Sequence, residues 1–274
     1  MAKLHIEGAS DRPEVIKQYL DFIDRRDYSS LDAVMDDIYR ETGLDLVNTK
    51  NMETTLAKLG LVDQQNRQQL TDYGRDVVEV LLYNDDLFFE LLHFTYATAY
   101  HRNPSPDRAI SWAYYNICDE FRRRAPVNFT DAKQEVVESV MERADRAPDS
   151  ALDDHGPLSN TSLSNYRRFI ERLDSSVYED GEVTLRSFAP KEIVLATIDH
   201  LYRTDVDSET REYGNPMELT DDTVDTLCTI LLLQEESVAD VIEHVASMDA
   251  RLSLKSDYQL RVRLTDPVEI NDLA

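Results

Sequence analysis

The segment from Asn48 to Tyr83 constrains the fold of this chain more than any other. It contains Leu-Gly-Leu-Val at positions 59–62 and Leu-Thr-Asp-Tyr-Gly at positions 70–74. Gly60 can adopt the positive φ that ends a helix, and Thr71 can cap the N terminus of the next helix. The polar residues between the two motifs are typical of a hairpin. The segment therefore predicts a helix, a hairpin and a second helix in close succession.

The first of these helices has one apolar and one polar face. Met52, Leu56 and Leu59 recur at the spacing of a buried helix face. The opposite face carries amide, hydroxyl and amino groups, which can contact base edges and phosphates. We therefore predict a DNA-binding surface here. Its predicted residues are Asn48, Lys50, Asn51, Thr54, Thr55 and Lys58, with Arg67 in the hairpin.

Two earlier amphipathic helices, entered near Pro13 and Ser30, complete a predicted three-helix core, and residues 3–8 alternate as a short strand would. With the pattern LxxLGLV…LTxxG, this arrangement resembles the winged-helix family. The resemblance implies a recognition helix followed by a β-hairpin wing. The same pattern also occurs in winged-helix modules that bind only proteins, so both kinds of partner stay open.

Residues 130–205 repeat this order of elements. A helix is expected to begin at Thr130, a polar and basic helix to cover 160–173, and a hairpin to turn at Asp180-Gly181 before another helix. We predict a second winged helix that contacts DNA through the polar face of its second helix. The predicted contact residues are Ser162, Asn165, Arg167, Arg168 and Arg172.

The predicted fold class is mostly α, with winged helix-turn-helix modules on a helical body and short β-hairpin wings. We predict an N-terminal winged helix over 1–83, an aromatic-rich helical segment over 84–129 and a second winged helix over 130–205. Helices and a short strand are expected over 206–274. The last third is the most acidic part of the chain, so we place no DNA contact there.

Other groups of residues allow two interpretations. The run Arg122, Arg123 and Arg124 either complements the dipole of a helix C terminus or clamps phosphates. Glu90 and His93 have the spacing of a helical metal pair, but a di-metal bundle needs a second such pair. The sequence contains no Gly-rich phosphate loop and no nucleophile–base pair. We therefore expect no bound metal, no cofactor and no enzymatic activity.

The net charge of −25 and the pI near 4.5 would ordinarily argue against a polyanionic partner. The acidity is dispersed, however, with 33 Asp, 21 Glu and only 7 Lys. Such a composition resembles proteins of salt-accumulating archaea. In molar salt the Debye length is only about 3 Å, so local contacts rather than net charge decide binding.

The remaining sequence features bear on localisation. The two cysteines, Cys118 and Cys228, lie in apolar helical patterns and are expected to be buried free thiols. The chain contains no apolar run of 18 residues and no basic N terminus followed by an apolar stretch. We therefore expect a cytoplasmic protein with no membrane partner.

Two winged-helix-like modules on a helical body, over roughly residues 12–205, resemble the small DNA-binding accessory protein of bacteriophage-exclusion (BREX) gene clusters. The resemblance implies a non-enzymatic protein that binds double-stranded DNA, as a transcriptional regulator or as an accessory component of an antiviral defence system. Other proteins of the same system are then possible partners. The alternative is a protein-interaction adaptor built on winged-helix scaffolds. The sequence leaves the oligomeric state open.

Overall fold

The described part of the chain folds mainly into α-helices. The computed structural model describes residues 2–6, 13–44, 52–148, 150–175, 177–204, 212–256 and 259–270, and every structural statement below concerns these residues. They form α-helices together with two small antiparallel sheets of three strands each. The predicted mostly α fold class is therefore confirmed. The buried apolar side chains form one continuous core that runs through all parts of the described chain.

The N-terminal region contains four helices and one hairpin. The hairpin is closed by an antiparallel bridge between Val62 and Leu70. The helices are α1 (Pro13–Arg25), α2 (Leu31–Thr42), α3 (Met52–Leu59) and α4 (Asp72–Tyr83). Ser30 caps α2, as predicted, by accepting a hydrogen bond from the Ala33 amide.

The structure explains the two motifs of the 59–74 segment. Gly60 has a φ of +83° where α3 ends. The Thr71 hydroxyl accepts a hydrogen bond from the Gly74 amide at 2.9 Å and donates one to the Gly60 carbonyl at 2.6 Å. A Cβ atom at position 74 would lie 1.9 Å from the Leu61 carbonyl oxygen. The glycine therefore allows α4 to pack directly against the preceding turn.

Helix α5 (Asp85–Arg102) lies at the centre of the molecule. Its side chains are buried on every side from Glu90 to Tyr100, as expected for a helix without an amphipathic pattern. It begins at Asn84, whose side chain accepts a hydrogen bond from the Leu87 amide. It contacts α4 and, further along the chain, the helices of the two units described next. The four predicted domains therefore share a single core helix.

The middle unit follows α5. It contains α6 (Ala109–Arg124), β1 (Val127–Asn128), α7 (Phe129–Arg146), α8 (Asn160–Ile170), β2 (Tyr178–Glu179) and β3 (Glu182–Val183). Its sheet has the order β1-β3-β2, and all pairs are antiparallel. Asp180 and Gly181 both have positive φ, as the predicted tight turn requires. The N-cap of α7 is Asn128, however, and not the predicted Thr130.

The C-terminal unit repeats the same succession of elements. It contains α9 (Lys191–Thr204), β4 (Met217–Glu218), α10 (Asp221–Leu231), α11 (Val238–Met248), β5 (Leu252–Ser256) and β6 (Leu260–Leu264). Its sheet order, β4-β6-β5, matches that of the middle unit. The predicted second module included α9, but α9 packs against α5, α10 and α11. The middle unit thus begins with α6, before residue 130, and the C-terminal unit begins with α9.

Candidate nucleic-acid interface

The predicted interface on α3 is mostly closed to solvent. Asn48, Lys50 and Asn51 lie outside the described residues. Thr55 is buried, so its predicted position on a DNA-facing surface is wrong. The cause is that α3 has only 8 residues and packs against α5, which leaves few side chains on its outer face.

The other residues predicted on this surface contact one another. The Arg67 guanidinium donates a hydrogen bond to the Thr54 hydroxyl at 2.7 Å and lies 3.2 Å from the Glu53 carboxylate. This pairing satisfies Arg67 within the protein. Lys58 remains, partly exposed at the end of α3. The described part of the predicted surface on α3 and its hairpin therefore offers little positive charge to a polyanion.

Two residues predicted to touch DNA from α8 face the interior instead. Ser162 accepts a hydrogen bond from the Ile6 amide at 3.2 Å, and the Asn165 amide group donates one to the Ile6 carbonyl at 2.8 Å. Both side chains are buried. They are part of the site at which the extended N-terminal residues 2–6 pack onto α8. Their predicted contact with DNA is wrong for this reason.

The outer face of α8 keeps part of the predicted basic surface. Arg167 lies over the rings of Phe129 and Tyr178 and is 3.1 Å from the Glu171 carboxylate. Arg168 is exposed. Lys133, on the neighbouring helix α7, donates a hydrogen bond to Ser164 of α8 at 2.7 Å.

The side chains of Lys133 and Arg167 lie close enough for their positive charges to interact. Burial and the nearby Arg167 charge lower the pKa of Lys133.

Beyond the end of α8, Arg172 pairs with Glu14 of α1 and lies over the Phe89 ring. The predicted stripe from Arg168 to Arg172 is therefore broken, because α8 ends at Ile170 and Arg172 is engaged with another helix.

The hairpin beside α8 is acidic. Glu179 and Glu182 are directly opposite each other across β2 and β3, and both are exposed. Asp180 adds a third carboxylate at the turn. Like charges in directly opposite positions repel each other and would also repel phosphates. Any nucleic acid bound to α8 must therefore keep this hairpin away from its backbone.

The run Arg122, Arg123 and Arg124 is held by ion pairs within the protein. Arg122 lies 3.2 Å from Asp119 and 3.0 Å from Asp225, and Arg123 lies 3.0 Å from Asp119. Arg124 pairs with Glu120, a buried residue. These ion pairs favour a structural role for the run over the phosphate clamp.

Asp119 is the main partner in this cluster. Burial raises the pKa of this carboxyl group, but hydrogen bonds from Arg143 and Arg123 outweigh that effect, and the pKa is lowered. A carboxylate that is ionised and surrounded by arginines locks α6 to α7, the helix that carries Arg143. The arginines are thus structural.

Glu90 and His93, the pair with metal-ligand spacing, have structural partners. Both carboxylate oxygens of Glu90 accept hydrogen bonds from Arg186, at 2.6 and 3.1 Å, and both side chains are fully buried. His93 Nε2 donates to the Ile230 carbonyl, so Nδ1 accepts from the Tyr114 hydroxyl, both at 2.8 Å. Within the described ranges, no group of three or more potential metal-ligating side chains occurs.

The charges of the C-terminal unit are arranged in a way that the sequence only partly indicates. The exposed positions of α11 include the acidic residues Asp240 and Glu243. In the hairpin of β5 and β6, Lys255 is directly opposite Arg261. Arg263 is the next residue of β6 on the same face of the sheet. The alternation of Arg261 and Arg263 was visible in the sequence. Their pairing with Lys255 was not, because it depends on the register of the two strands.

The prediction of two buried free thiols is confirmed, and aromatic side chains of α6 also lie in or against the core. Phe121 is buried and stacks on Phe129 and Tyr166, while Trp112 and Tyr115 pack against the core. Cys118 and Cys228 are buried free thiols. Burial raises the pKa of each thiol to about 12, which keeps both protonated near neutral pH. The aromatic residues of α6 therefore contribute to the interior.

Comparison of the chain with protein families, with curated proteins and with solved structures finds no match. Among the described helices, none is long and apolar enough to cross a membrane.

Proposed function

We propose that this chain is a non-enzymatic protein that binds double-stranded DNA through the outer face of α8. In this proposal the middle unit is a winged helix, α8 is its recognition helix, and β2 and β3 form the wing. The observation that carries the proposal is the cluster of Lys133, Arg167 and Arg168 on and beside α8 in a chain whose net charge is −25. The protein would act as a transcriptional regulator or as an accessory component of a defence system.

The order of elements supports this interpretation. A helix, a strand, two helices and a hairpin, with the first strand paired to the last, follow one another in the order expected of a winged helix. In DNA-binding units of this kind the second helix of the pair enters the major groove. Helix α8 occupies that position, and its outward residues Asn160, Thr161 and Ser164 can donate or accept hydrogen bonds.

A second candidate function, a protein-interaction adaptor, is favoured by the acidic hairpin of the middle unit. Glu179, Asp180 and Glu182 lie next to α8 and would repel a phosphate backbone. A partner protein with a basic surface would instead be attracted to them. The two candidates differ in one measurable property, which is the response of duplex binding to loss of positive charge on α8 and α7.

The experiment compares two double variants of the full chain. Lys133→Ala with Arg168→Ala removes two charges beside α8 and leaves Arg167 on its aromatic rings. Arg25→Ala with Arg40→Ala removes the same charge from exposed side chains of α1 and α2. Fluorescence anisotropy on a labelled duplex, at several KCl concentrations, gives the affinity and its salt dependence.

We expect the α8-side variant to bind less tightly and to lower the slope of log K against log salt by about 2, one unit for each lost phosphate contact. The control variant should keep the wild-type slope. Equal losses in both variants would show a non-specific charge effect and contradict the proposed site. A wild-type chain that binds no duplex at low salt would overturn the DNA proposal and leave the adaptor.

A further inference from the structure

A cavity of about 130 Å³ lies between parts of the chain that are far apart in sequence. Its walls come from α4, α5, α9 and residues 268–270. It is distant in sequence from every residue of the proposed DNA-binding surface. Three of its side chains have unusual surroundings, and together they indicate the chemistry of a ligand.

The first is Arg102, at the end of α5. Its guanidinium carbon lies 5.3 Å from the ring centre of Tyr73 and 5.0 Å from that of Phe94. Among the described residues no salt bridge to Arg102 is found. Arg203, on the same cavity, differs in this respect, because it lies 2.6 Å from Asp199 and 3.6 Å from Glu269. Arg102 therefore offers hydrogen-bond donors and a positive charge to an anionic group.

The second is Asp76, on α4. Burial and the nearby Glu269 carboxylate, together with Glu79 and Asp72, raise the pKa of Asp76 despite the opposing charge of Arg75. Within the described ranges no hydrogen bond or salt bridge to the Asp76 side chain is found. Two carboxylates that repel each other at the wall of a cavity form a favourable site for a positive group, which would relieve the repulsion.

The third is His200, on α9. Its side chain is only 3 % exposed, lines the cavity, and has no hydrogen-bond partner at Nδ1. Burial lowers the pKa of His200 well below its ordinary value, and Arg102, His101 and Arg203 lower it further. The ring is therefore neutral near pH 7. A buried imidazole nitrogen without a hydrogen-bond partner costs free energy, which a polar ligand can recover.

The remaining wall is apolar and is formed by Ala196, Val268 and Ile270 with the Phe94 ring. The cavity is well below the several hundred Å³ that a drug-sized ligand requires. It can therefore hold only a small molecule. That molecule meets a positive group, an acidic pair and a short apolar surface.

We propose that this cavity binds a small zwitterion of the amino-acid class. Its carboxylate is held by Arg102, its ammonium group by Asp76 and Glu269, and its carbon chain by the apolar wall. His200 supplies a further hydrogen bond. This site does not depend on the proposed DNA-binding function, because it shares no residue with the surface around α8.

The test uses the full chain and a panel of free amino acids. Glycine, β-alanine, 4-aminobutyrate and 6-aminohexanoate vary the distance between the two charges, and valine adds an apolar side chain. Butylamine and butyrate each carry only one charge. Thermal unfolding detects binding as a rise in Tm, and isothermal titration calorimetry gives the Kd. We expect at least one amino acid to bind at least tenfold more tightly than either singly charged compound.

Two cavity variants and two controls locate the site. Arg102→Gln and Asp76→Asn should each weaken the best ligand at least tenfold. Arg146→Gln and Asp36→Asn change exposed residues that do not line the cavity and should leave its Kd within about twofold. Because both cavity substitutions are on partly exposed side chains, unfolding curves of the ligand-free variants verify that they fold.

NMR of the histidine side chains tests the position of the ligand. The imidazole resonances of His200 should shift on binding, and those of the exposed His244 should not. Three results would overturn the proposal. The first is that no compound in the panel binds at about 10 mM. The second is that butyrate binds as well as the amino acids and Asp76→Asn has no effect, which indicates a simple anion site. The third is that binding occurs but neither cavity variant weakens it.

Discussion

The middle and C-terminal units have the same order of elements and the same sheet order, but their charges are arranged in opposite ways. In the middle unit, helix α8 presents Arg167 and Arg168, and the hairpin is acidic. In the C-terminal unit, helix α11 presents Asp240 and Glu243, and the hairpin pairs Lys255 with Arg261. The equivalent surfaces of the two units are therefore suited to different partners.

This difference separates what determines topology from what determines binding. The repeated topology depends on buried residues, such as Val183 in the middle unit and Val262 in the C-terminal unit, each on the central strand of its sheet. Exposed positions on the second helix and the hairpin can change charge without disturbing that core. Topology alone therefore does not identify a DNA-binding surface. The charge on the second helix distinguishes a unit that can attract phosphates from one that repels them.

The largest expected effect concerns the junction between the two units. Arg186 donates hydrogen bonds to Glu90 of α5, to the Asp174 carbonyl beyond α8 and to the Leu231 carbonyl at the end of α10. We expect Arg186→Gln to lower the free energy of unfolding by about 3–5 kcal/mol, because it leaves the Glu90 carboxylate buried without its partner. Chemical denaturation at constant pH measures this change.

A matched control removes an exposed arginine. Arg146→Gln breaks the 3.3 Å pair with Glu142 on the surface of α7 and should cost no more than about 1 kcal/mol. The double variant Glu90→Leu with Arg186→Met should recover part of the loss. Hydrogen exchange would show whether both units lose protection together. A loss for Arg186→Gln as small as that of the control would mean that the two units are not joined through this pair.

The second prediction concerns pH and again involves both units. His93 accepts a hydrogen bond from Tyr114 of the middle unit and donates one to Ile230 of the C-terminal unit. Burial lowers its pKa to about 4. The folded state therefore favours the neutral ring. Its contribution is fully present above the unfolded pKa near 6.5 and is lost as the pH falls toward 4, by about 3 kcal/mol in total.

Urea denaturation between about pH 7 and about pH 5 tests this expectation, since slightly more than half of the change should fall within that interval. His93→Gln should flatten the pH dependence, although it also lowers stability at neutral pH. His244→Gln, at an exposed position of α11, should keep the wild-type dependence. If His93→Gln has the same pH slope as the wild type, other groups cause the acid sensitivity.

Part of this comparison could be predicted from the sequence, because some signals are local. The Thr71 cap, the Gly60 turn and the Asp180-Gly181 hairpin each depend on residues within a few positions of one another, and all three are confirmed. Strands β1 and β4 have two residues each, too few for a detectable alternation. Without them, the shared topology of the two units could not be recognised.

The errors on α8 have a different physical cause. Ser162 and Asn165 are polar and lie on a helix with basic residues, so they were expected to face solvent. Their hydrogen-bond partner is Ile6, which is more than 150 positions away in the chain. A buried polar residue whose hydrogen bonds are formed within the protein has the same sequence pattern as an exposed polar residue. Only the tertiary structure distinguishes the two. The cavity around His200 could not be predicted for a similar reason, since its walls come from separate parts of the chain.

The smallest expected effect concerns salt, and it distinguishes the two units by its sign. Raising KCl from about 0.1 M to about 2 M shortens the Debye length from about 10 Å to about 2 Å. Around α11, the carboxylates of Asp240 and Glu243 repel each other less when they are screened. Beside α8, the pair between Arg167 and Glu171 is attractive and is weakened by the same screening.

We therefore expect hydrogen exchange at high salt to show more protection of α11 and unchanged or lower protection of α8, with differences of at most about 1 kcal/mol. The variant Asp240→Asn with Glu243→Gln should lose the gain on α11, because it removes the repulsion that salt relieves. An equal gain on both helices in the wild type would point to a general salt effect on burial rather than to charge. The argument that molar salt suits this acidic chain would then fail, and its net charge would again count against a DNA partner.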